Sequence, residues 1–300
     1  MDRKYNQGKA KGGFSKSHNT SSYRPGRATG RDSSPKGGYK SQPKAHSVSG
    51  DNNYNRDDLI EGRNPCLEAL EAGRSINRIM IAKGTHDSTI AKIMHLAKEA
   101  RIPLAEVERS ALDKISVVGS HQGVIALASA KEYCTVDDIL TRAANLGHAP
   151  FIVILDGIND PNNFGAIIRS AECAGVDGII IPERRSVQVT PVVAKVSAGA
   201  CEHMMIARVV NISATIRELK EKGLWIVGTD GGATQMYKDV DYKSPIALII
   251  GSEGEGMSRV VMSNCDHLVK IPLMGKVNSL NAATAAAIVM FEAVSQRCGL

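Results

Sequence analysis

The sequence predicts an α/β protein: a mostly parallel sheet, preceded by a smaller α/β module and a basic, disordered tail. Three observations predict it. From Pro150 onward, short apolar runs alternate with helical patterns, the mark of a parallel sheet covered on both faces. Residues 57–130 repeat that alternation on a smaller scale. Residues 1–56 are rich in Gly, Ser, Lys and Arg and hold too little apolar surface to fold alone. A chain of 300 residues is long enough for one or two domains with a sizeable core.

The tail holds the basic charge. Residues 1–50 carry 11 Lys and Arg against 2 Asp, whereas the rest carries 26 basic and 29 acidic residues, a net of −3. Tyr5, Phe14, Tyr23 and Tyr39 punctuate those charges. That mixture suits sequence-tolerant contact with nucleic acid, by charge on phosphate and stacking on bases. The bland alternative is a solvated extension with no partner. With the body near neutral, the tail is expected to add affinity and not target choice.

The longest apolar run, "AAAIVMF" at 285–291, is too short to span a bilayer. The N-terminus has no apolar stretch of a secretory signal, so the cytoplasm is expected. Cysteines 66, 134, 173, 201, 265 and 298 form no CxxC or zinc-ribbon spacing, so they read as reduced and mostly buried, and no metal is expected.

Along the module, "NPCLEALEAG" predicts a helix capped by Asn64 with Pro65 at its first position. "INRIMIA" predicts a strand, "STIAKIMHLAKEAR" a helix and "HQGVIALAS" another strand. Residues 131–149 form a connector with a helix after Thr135. The main region, 150–300, runs "FIVILD", helix "FGAIIRSAECAG", "GIIIP", helix "TPVVAKVSAGA", "MMIARV", helix "ATIRELKEKG", "LWIVGTD" and "IALIIG". A short helix, "HLVKIPL" ending as a strand at Pro272, and a long helix from about Leu280 complete it. Sites in such sheets lie at the carboxyl ends of strands.

Three loops carry the chemistry. In "IIGSEGEGM" (249–257), three glycines surround Glu253 and Glu255. A phosphate loop would need a terminal Lys-Ser or Lys-Thr, and a dinucleotide loop a GxGxxG near the start of a βαβ unit; neither is present. In "NDPNNFGAIIRSAECAG" (159–175), a polar turn precedes a helix that is apolar almost all round. Arg169 is therefore expected to be partly buried and to need an acceptor. Asn163 could be a helix cap and Arg169 a structural ion-pair partner. In "IPLMGKVNSLNAATAAAIVMFEA" (271–293), Asn278, Ser279 and Asn281 precede a helix of small apolar residues. Capping explains one of them, not three.

In this order, the three stretches resemble the signature motifs of the SpoU/TrmH branch of the SPOUT methyltransferases. They read N-x-G-x-x-x-R-S-A from Asn163 to Ala171, G-x-E-G-x-G from Gly251 to Gly256, and I-P-x-x-G-x-V-x-S-L-N from Ile271 to Asn281. Residues 57–130, ending in "HQG" at 121–123, are similar to that family's ribosomal-protein-like substrate-binding module. The nearest subgroup methylates a guanosine ribose in large-subunit rRNA. The resemblance implies a C-terminal trefoil knot holding S-adenosylmethionine, a homodimer, and an RNA partner without DNA or membrane. A phosphate-free cofactor removes the puzzle of a glycine loop bearing carboxylates. Thr229, Gly251, Gly256, Ile271 and Leu280 would surround the cofactor. Arg169 would touch the target ribose and its phosphate, with Asn163 and Glu253 fixing it, while Ser279 and Asn281 line the reacting pocket. Methylation of tRNA or another rRNA ribose, a catalytically silent RNA-binding homologue, and a dinucleotide-dependent oxidoreductase are the alternatives.

Overall fold

The structure, a computed structural model, describes residues 56–300 apart from Arg185. The expected tail, and the aromatic residues within it, lie outside the described residues except for Arg56.

Near the start of the described region stand β1 (Leu59–Glu61), α1 (Arg63–Glu71), β2 (Ile76–Ala82), α2 (Ser88–Glu99), β3 (Leu104–Val107), α3 (Arg109–Ile115) and β4 (Val124–Ala128). The strands pair in the order β1-β4-β2-β3, with β2 and β3 parallel and the other pairs antiparallel. Alternate side chains go to opposite faces. Ile79, Ile81, Val124 and Ala126 meet Ala69 of α1 and Ile90 and Ile93 of α2, whereas Leu59, Met80 and Ile125 meet Leu112 of α3.

Three elements here escape the sequence pattern. β1 is only three residues long, β3 is half exposed along its length, and α3 has a single buried residue. Helix α1 starts one residue before the expected cap. Gly62 takes the N-cap position at φ 103°, a conformation that favours glycine, so Asn64 is not the cap.

The connector holds α4 (Val136–Leu146), capped by Thr135 and Asp138 in a reciprocal capping box. The main sheet then builds from β5 (Phe151–Asp156), α5 (Pro161–Cys173), β6 (Gly178–Pro182), α6 (Pro191–Val196), β7 (Ile206–Val209), α7 (Ile212–Glu221) and β8 (Trp225–Thr229). It closes with β9 (Gln235–Met236), β10 (Ile246–Gly251), α8 (Arg259–Met262), β11 (His267–Lys270) and α9 (Ala282–Cys298). Its seven strands lie in the order β7-β6-β5-β10-β8-β11-β9, and every pairing is parallel.

Two cores flank this sheet. Val153, Leu155, Leu248 and Ile250 face α5, α6 and α9, while Ile152, Ile154, Ala247 and Ile249 face α4 and α7. Because both faces are covered, the central strands read as unbroken apolar runs. Strand β11 ends at Lys270, two residues before the expected Pro272. Helix α6 is shorter than its sequence pattern, since the chain turns to positive φ at Ala198 and Gly199. Only Cys66 and Cys201 of the six free cysteines are buried; Cys134 and Cys265 are half-buried, and Cys173 and Cys298 are exposed. Among the described residues, no helix is long and apolar enough to cross a membrane.

Candidate active site

Strands β5 and β10 end level with one another, pairing Asp156 with Gly251 at the carboxyl edge of the sheet. The chain leaving β10 folds straight back on itself. Ser252 and Gly256 exchange two backbone hydrogen bonds of 3.0 Å each, with Gly254 at φ 104° and Gly256 at φ 68°. A Cβ on Gly251 would lie 2.3 Å from the carbonyl carbon of Gly256 and from the Met257 nitrogen. Gly251 is therefore glycine for close approach, and Gly254 and Gly256 for backbone conformation. The loop is anchored where the Ser258 N–H donates to Asp156 Oδ2 at 2.7 Å.

This tight turn delivers Glu253 to the start of α9. Its Oε1 accepts the Ala282 N–H at 3.1 Å, where the unpaired amides of a helix start attract a carboxylate. Asn281 is the joint of the site. Its Oδ1 caps α9 by accepting from the Ala283 and Thr284 N–H groups at 3.0 and 3.1 Å. Its Nδ2 donates to Glu253 Oε1 at 2.5 Å and to Asn163 Oδ1 at 2.8 Å. One side chain thus ties together all three motif stretches.

Asn163 is buried in the first turn of α5 and does not cap it. The cap is Asp160, which accepts from the Asn162 and Asn163 N–H groups, with Pro161 at the first helical position. Gly165, one turn onward, lets α5 sit against α6; a Cβ there would fall 2.7 Å from Val196 Cβ.

Arg169 departs from expectation. It is exposed, and among the described residues it makes no hydrogen bond or ion pair. Six residues beyond Asn163, it stands about 9 Å along the helix and roughly 120° around it. Asn162, Arg169, Glu172 and Cys173 form the solvent stripe of α5. Asn163 and Glu253 consequently hold Asn281 and not the arginine. Ser279 is exposed and likewise unbonded within the described residues.

The other expected residues line the same edge. Thr229 ends β8 and its hydroxyl donates to the Ile249 carbonyl of β10 at 3.1 Å. Ile271 is half-buried, and Leu280 is exposed on the segment leading to α9. Asp156 and Asp160 also belong to the site, beyond the residues that the motifs mark. Their signals were a carboxylate closing an apolar run and an Asp immediately before a Pro.

Comparison with known proteins places this geometry. Residues 150–291 match the SpoU rRNA methylase family, and residues 59–134 match the family described as RNA 2′-O ribose methyltransferase substrate binding. YacO of Bacillus subtilis, assigned to the TrmH family of tRNA/rRNA methyltransferases, is 43% identical over 240 residues, covering 80% of this chain and 96% of YacO. The chain belongs to the SpoU/TrmH family of RNA methyltransferases.

Solved structures of the family agree with the fold. AviRb of Streptomyces viridochromogenes, in complex with the cofactor AdoMet, is 25% identical with a TM-score of 0.68, over 81% of this chain and 91% of AviRb. An AdoMet-bound rRNA methyltransferase from Sinorhizobium meliloti is 27% identical with a TM-score of 0.66, over 79% of this chain and 87% of that one.

This SpoU/TrmH enzyme uses S-adenosylmethionine, and its site suits that molecule. The edge offers backbone at Gly251 and along 271–280, with apolar Leu273 and Leu280 exposed beside it. An adenosine without phosphate needs hydrogen-bonding backbone and apolar cover, not a basic cradle. The carboxylate of Glu253 is turned into the start of α9. When bound, the cofactor supplies an electrophilic methyl group on a sulfonium.

Proposed function

We propose that this enzyme methylates the ribose 2′-hydroxyl of a guanosine in large-subunit (23S) rRNA, in the cytoplasm. The observation that carries the reading is the Asn281 junction, which unites the three motif stretches at the carboxyl edge of the sheet. The rRNA target is supported by the matched family description and by the Sinorhizobium meliloti relative, which is an rRNA methyltransferase. The guanosine rests on the resemblance of the motifs to that subgroup.

The residues divide the work. Gly251, Gly256, Thr229, Ile271 and Leu280 hold the cofactor, and the C-terminal segments around it form the trefoil knot of the superfamily. Asn281 keeps the loops at a fixed spacing, with Asn163 and Glu253 as its partners. Ser279 faces the reacting ribose. The 2′-oxygen would bond the methyl carbon as the carbon–sulfur bond breaks and S-adenosylhomocysteine leaves, and the hydroxyl proton would pass to water. A guanidinium keeps its charge at all working pH values, so Arg169 stabilises the developing alkoxide and does not itself take the proton.

An Arg169 that is exposed on the stripe opposite the buried face of α5, and unpaired among the described residues, fits an arrangement in which it serves a second copy. We therefore include a homodimer with a shared site in the proposal. Mixing an Arg169→Ala chain with a Gly251→Ala chain tests it. Trans action restores activity in the mixed dimer, while cis action leaves every site broken.

The substrate is tested by mapping ribose methylation across rRNA and tRNA in a strain lacking the protein. Loss of one guanosine methylation in 23S rRNA is expected. Loss confined to tRNA would redirect the proposal. Calorimetry with S-adenosylhomocysteine in excess chelator should show binding; binding abolished by chelator would contradict a metal-free site.

A further inference from the structure

The small module carries a polar pocket built from residues outside the three motif stretches. A pocket of about 410 Å³ is lined by Arg63, Asn64, Thr89, Arg109 and Gln122. None of these side chains is apolar and none is acidic. Arg63 is already oriented: its Nε donates to the Gln122 carbonyl at 3.2 Å, its N–H donates to Gln122 Oε1 at 3.1 Å, and its Nη1 lies 2.8 Å from Asp87 Oδ2.

Gln122 is fixed in turn. It sits at φ 54°, in the left-handed region, between His121 and Gly123. His121 is 2% exposed; its Nδ1 accepts the Gly123 N–H at 3.0 Å and its Nε2 lies 2.9 Å from Asp113 Oδ1. The nearby carboxylate, Asp87, is engaged twice, by Arg63 and by the Ile90 N–H it caps at 3.0 Å. Arg109 is exposed and, among the described residues, has no hydrogen bond or ion pair. With Arg63 balanced by Asp87, the pocket offers one uncompensated positive charge plus amide and hydroxyl donors. That set matches one phosphodiester anion. It has no aromatic or apolar wall for a base or sugar, which favours a polymer backbone over a free nucleotide.

The pocket is also linked to the catalytic helix. A Cβ on Gly62, beside Arg63, would lie 3.2 Å from Lys195 Nζ, and that ammonium donates to the Ser120 carbonyl. Lys195 belongs to α6, which packs tightly on α5, the helix of Asn163 and Arg169. We propose that this pocket grips a backbone phosphate of the RNA substrate, distant from the methylated ribose, and fixes its offset from Arg169. The proposal rests on the RNA reading above.

The test uses the full chain, protein-free large-subunit rRNA, and three variants. Arg109→Ala should weaken rRNA binding about fivefold to tenfold at low salt and flatten the salt dependence by about 0.7–0.9 log units for one lost phosphate contact. Thr89→Glu adds a carboxylate where a helix start welcomes it, so it spares the fold yet should weaken binding at least as much. Arg109→Lys should retain most of the affinity. Melting temperature and S-adenosylhomocysteine affinity should not move in any of them.

Wild-type rRNA affinity and salt slope in both Arg109→Ala and Thr89→Glu would overturn the proposal. So would saturation of the pocket by inorganic phosphate with rRNA binding unchanged in both variants, which would assign it to a small anion. A protein that binds rRNA through this pocket but methylates no ribose would leave the pocket standing and sink the methylation target instead.

Discussion

The two ends of α9 carry polar networks built for opposite purposes. At the N-terminal end, Asn281 uses both side-chain donors and both lone pairs, and its partners come from three separate motif stretches. This network is open to solvent. At the C-terminal end, Arg297 sinks its guanidinium over the Phe151 ring at 4.9 Å and donates to the carbonyls of Tyr242, Ala149, Pro150 and Ser244. Burial lowers its pKa, and among the described residues no carboxylate hydrogen-bonds it. The first network ties the three motif stretches together, and we propose that it positions them around an arriving substrate. The second fastens the last helix to the starts of β5 and β10. Polarity at a helix end therefore does not identify a site; both networks join three segments, and exposure is what separates them.

The comparison breaks first at Arg169. Because it is exposed and, among the described residues, unpaired, Arg169→Ala should reduce single-turnover methylation by roughly 10³-fold, the scale for losing a transition-state donor. The melting temperature and S-adenosylhomocysteine affinity should stay near wild type. A melting point that falls along with activity would make Arg169 structural, like Arg297.

Arg297→Ala should show the reverse pattern. Leaving four carbonyls without their donor is expected to cost about 3 kcal/mol of folding stability. Denaturant titration followed by the fluorescence of Trp225, the single tryptophan, measures it. Methylation per folded molecule should remain. Arg297→Lys should not recover the loss, since one ammonium cannot reach four acceptors.

Asn281→Asp sharpens the N-terminal side. The cap on α9 survives, but both donors vanish and a carboxylate meets Glu253. We expect about 1–2 kcal/mol of lost stability and a larger loss of turnover, about tenfold or more. Equal effects on stability and turnover would argue against a positioning role.

The smallest effect concerns thiols. Burial pushes Cys66 and Cys201 up to about 12, so at pH 8 both stay protonated and shielded. Alkylation at that pH, read by mass spectrometry, should reach exposed Cys173 and Cys298 and spare those two. Cys298 lies in the last turn of α9, so its modification should leave methylation unchanged if that end is purely structural.

Much of the fold was legible because burial on both sheet faces imposes a strong pattern. "FIVILD", "GIIIP" and "IALIIG" correspond to β5, β6 and β10, and Thr135 caps α4 as expected. Weak elements had no such pattern: β9 is two residues long and β3 has no fully buried residue. A cap is ambiguous in sequence where two polar candidates stand close together, as Asp160 and Asn163 do. Asp160 outcompetes Asn163 because Pro161 must occupy the first helical position, which puts the cap immediately before it.

The sequence by itself determined the alternation of strands and helices, the glycines of the 251–256 turn and the three motif stretches, all of which depend on local spacing. It could not determine that Asn281 is the shared partner of Asn163 and Glu253, residues 118 and 28 positions away. Nor could it determine that Arg169 faces solvent. A helix apolar on nearly every side looks buried throughout, but α6, α9 and the sheet cover only part of its circumference. Which stripe stays open is decided by where those neighbours pack, and that is a property of the tertiary structure.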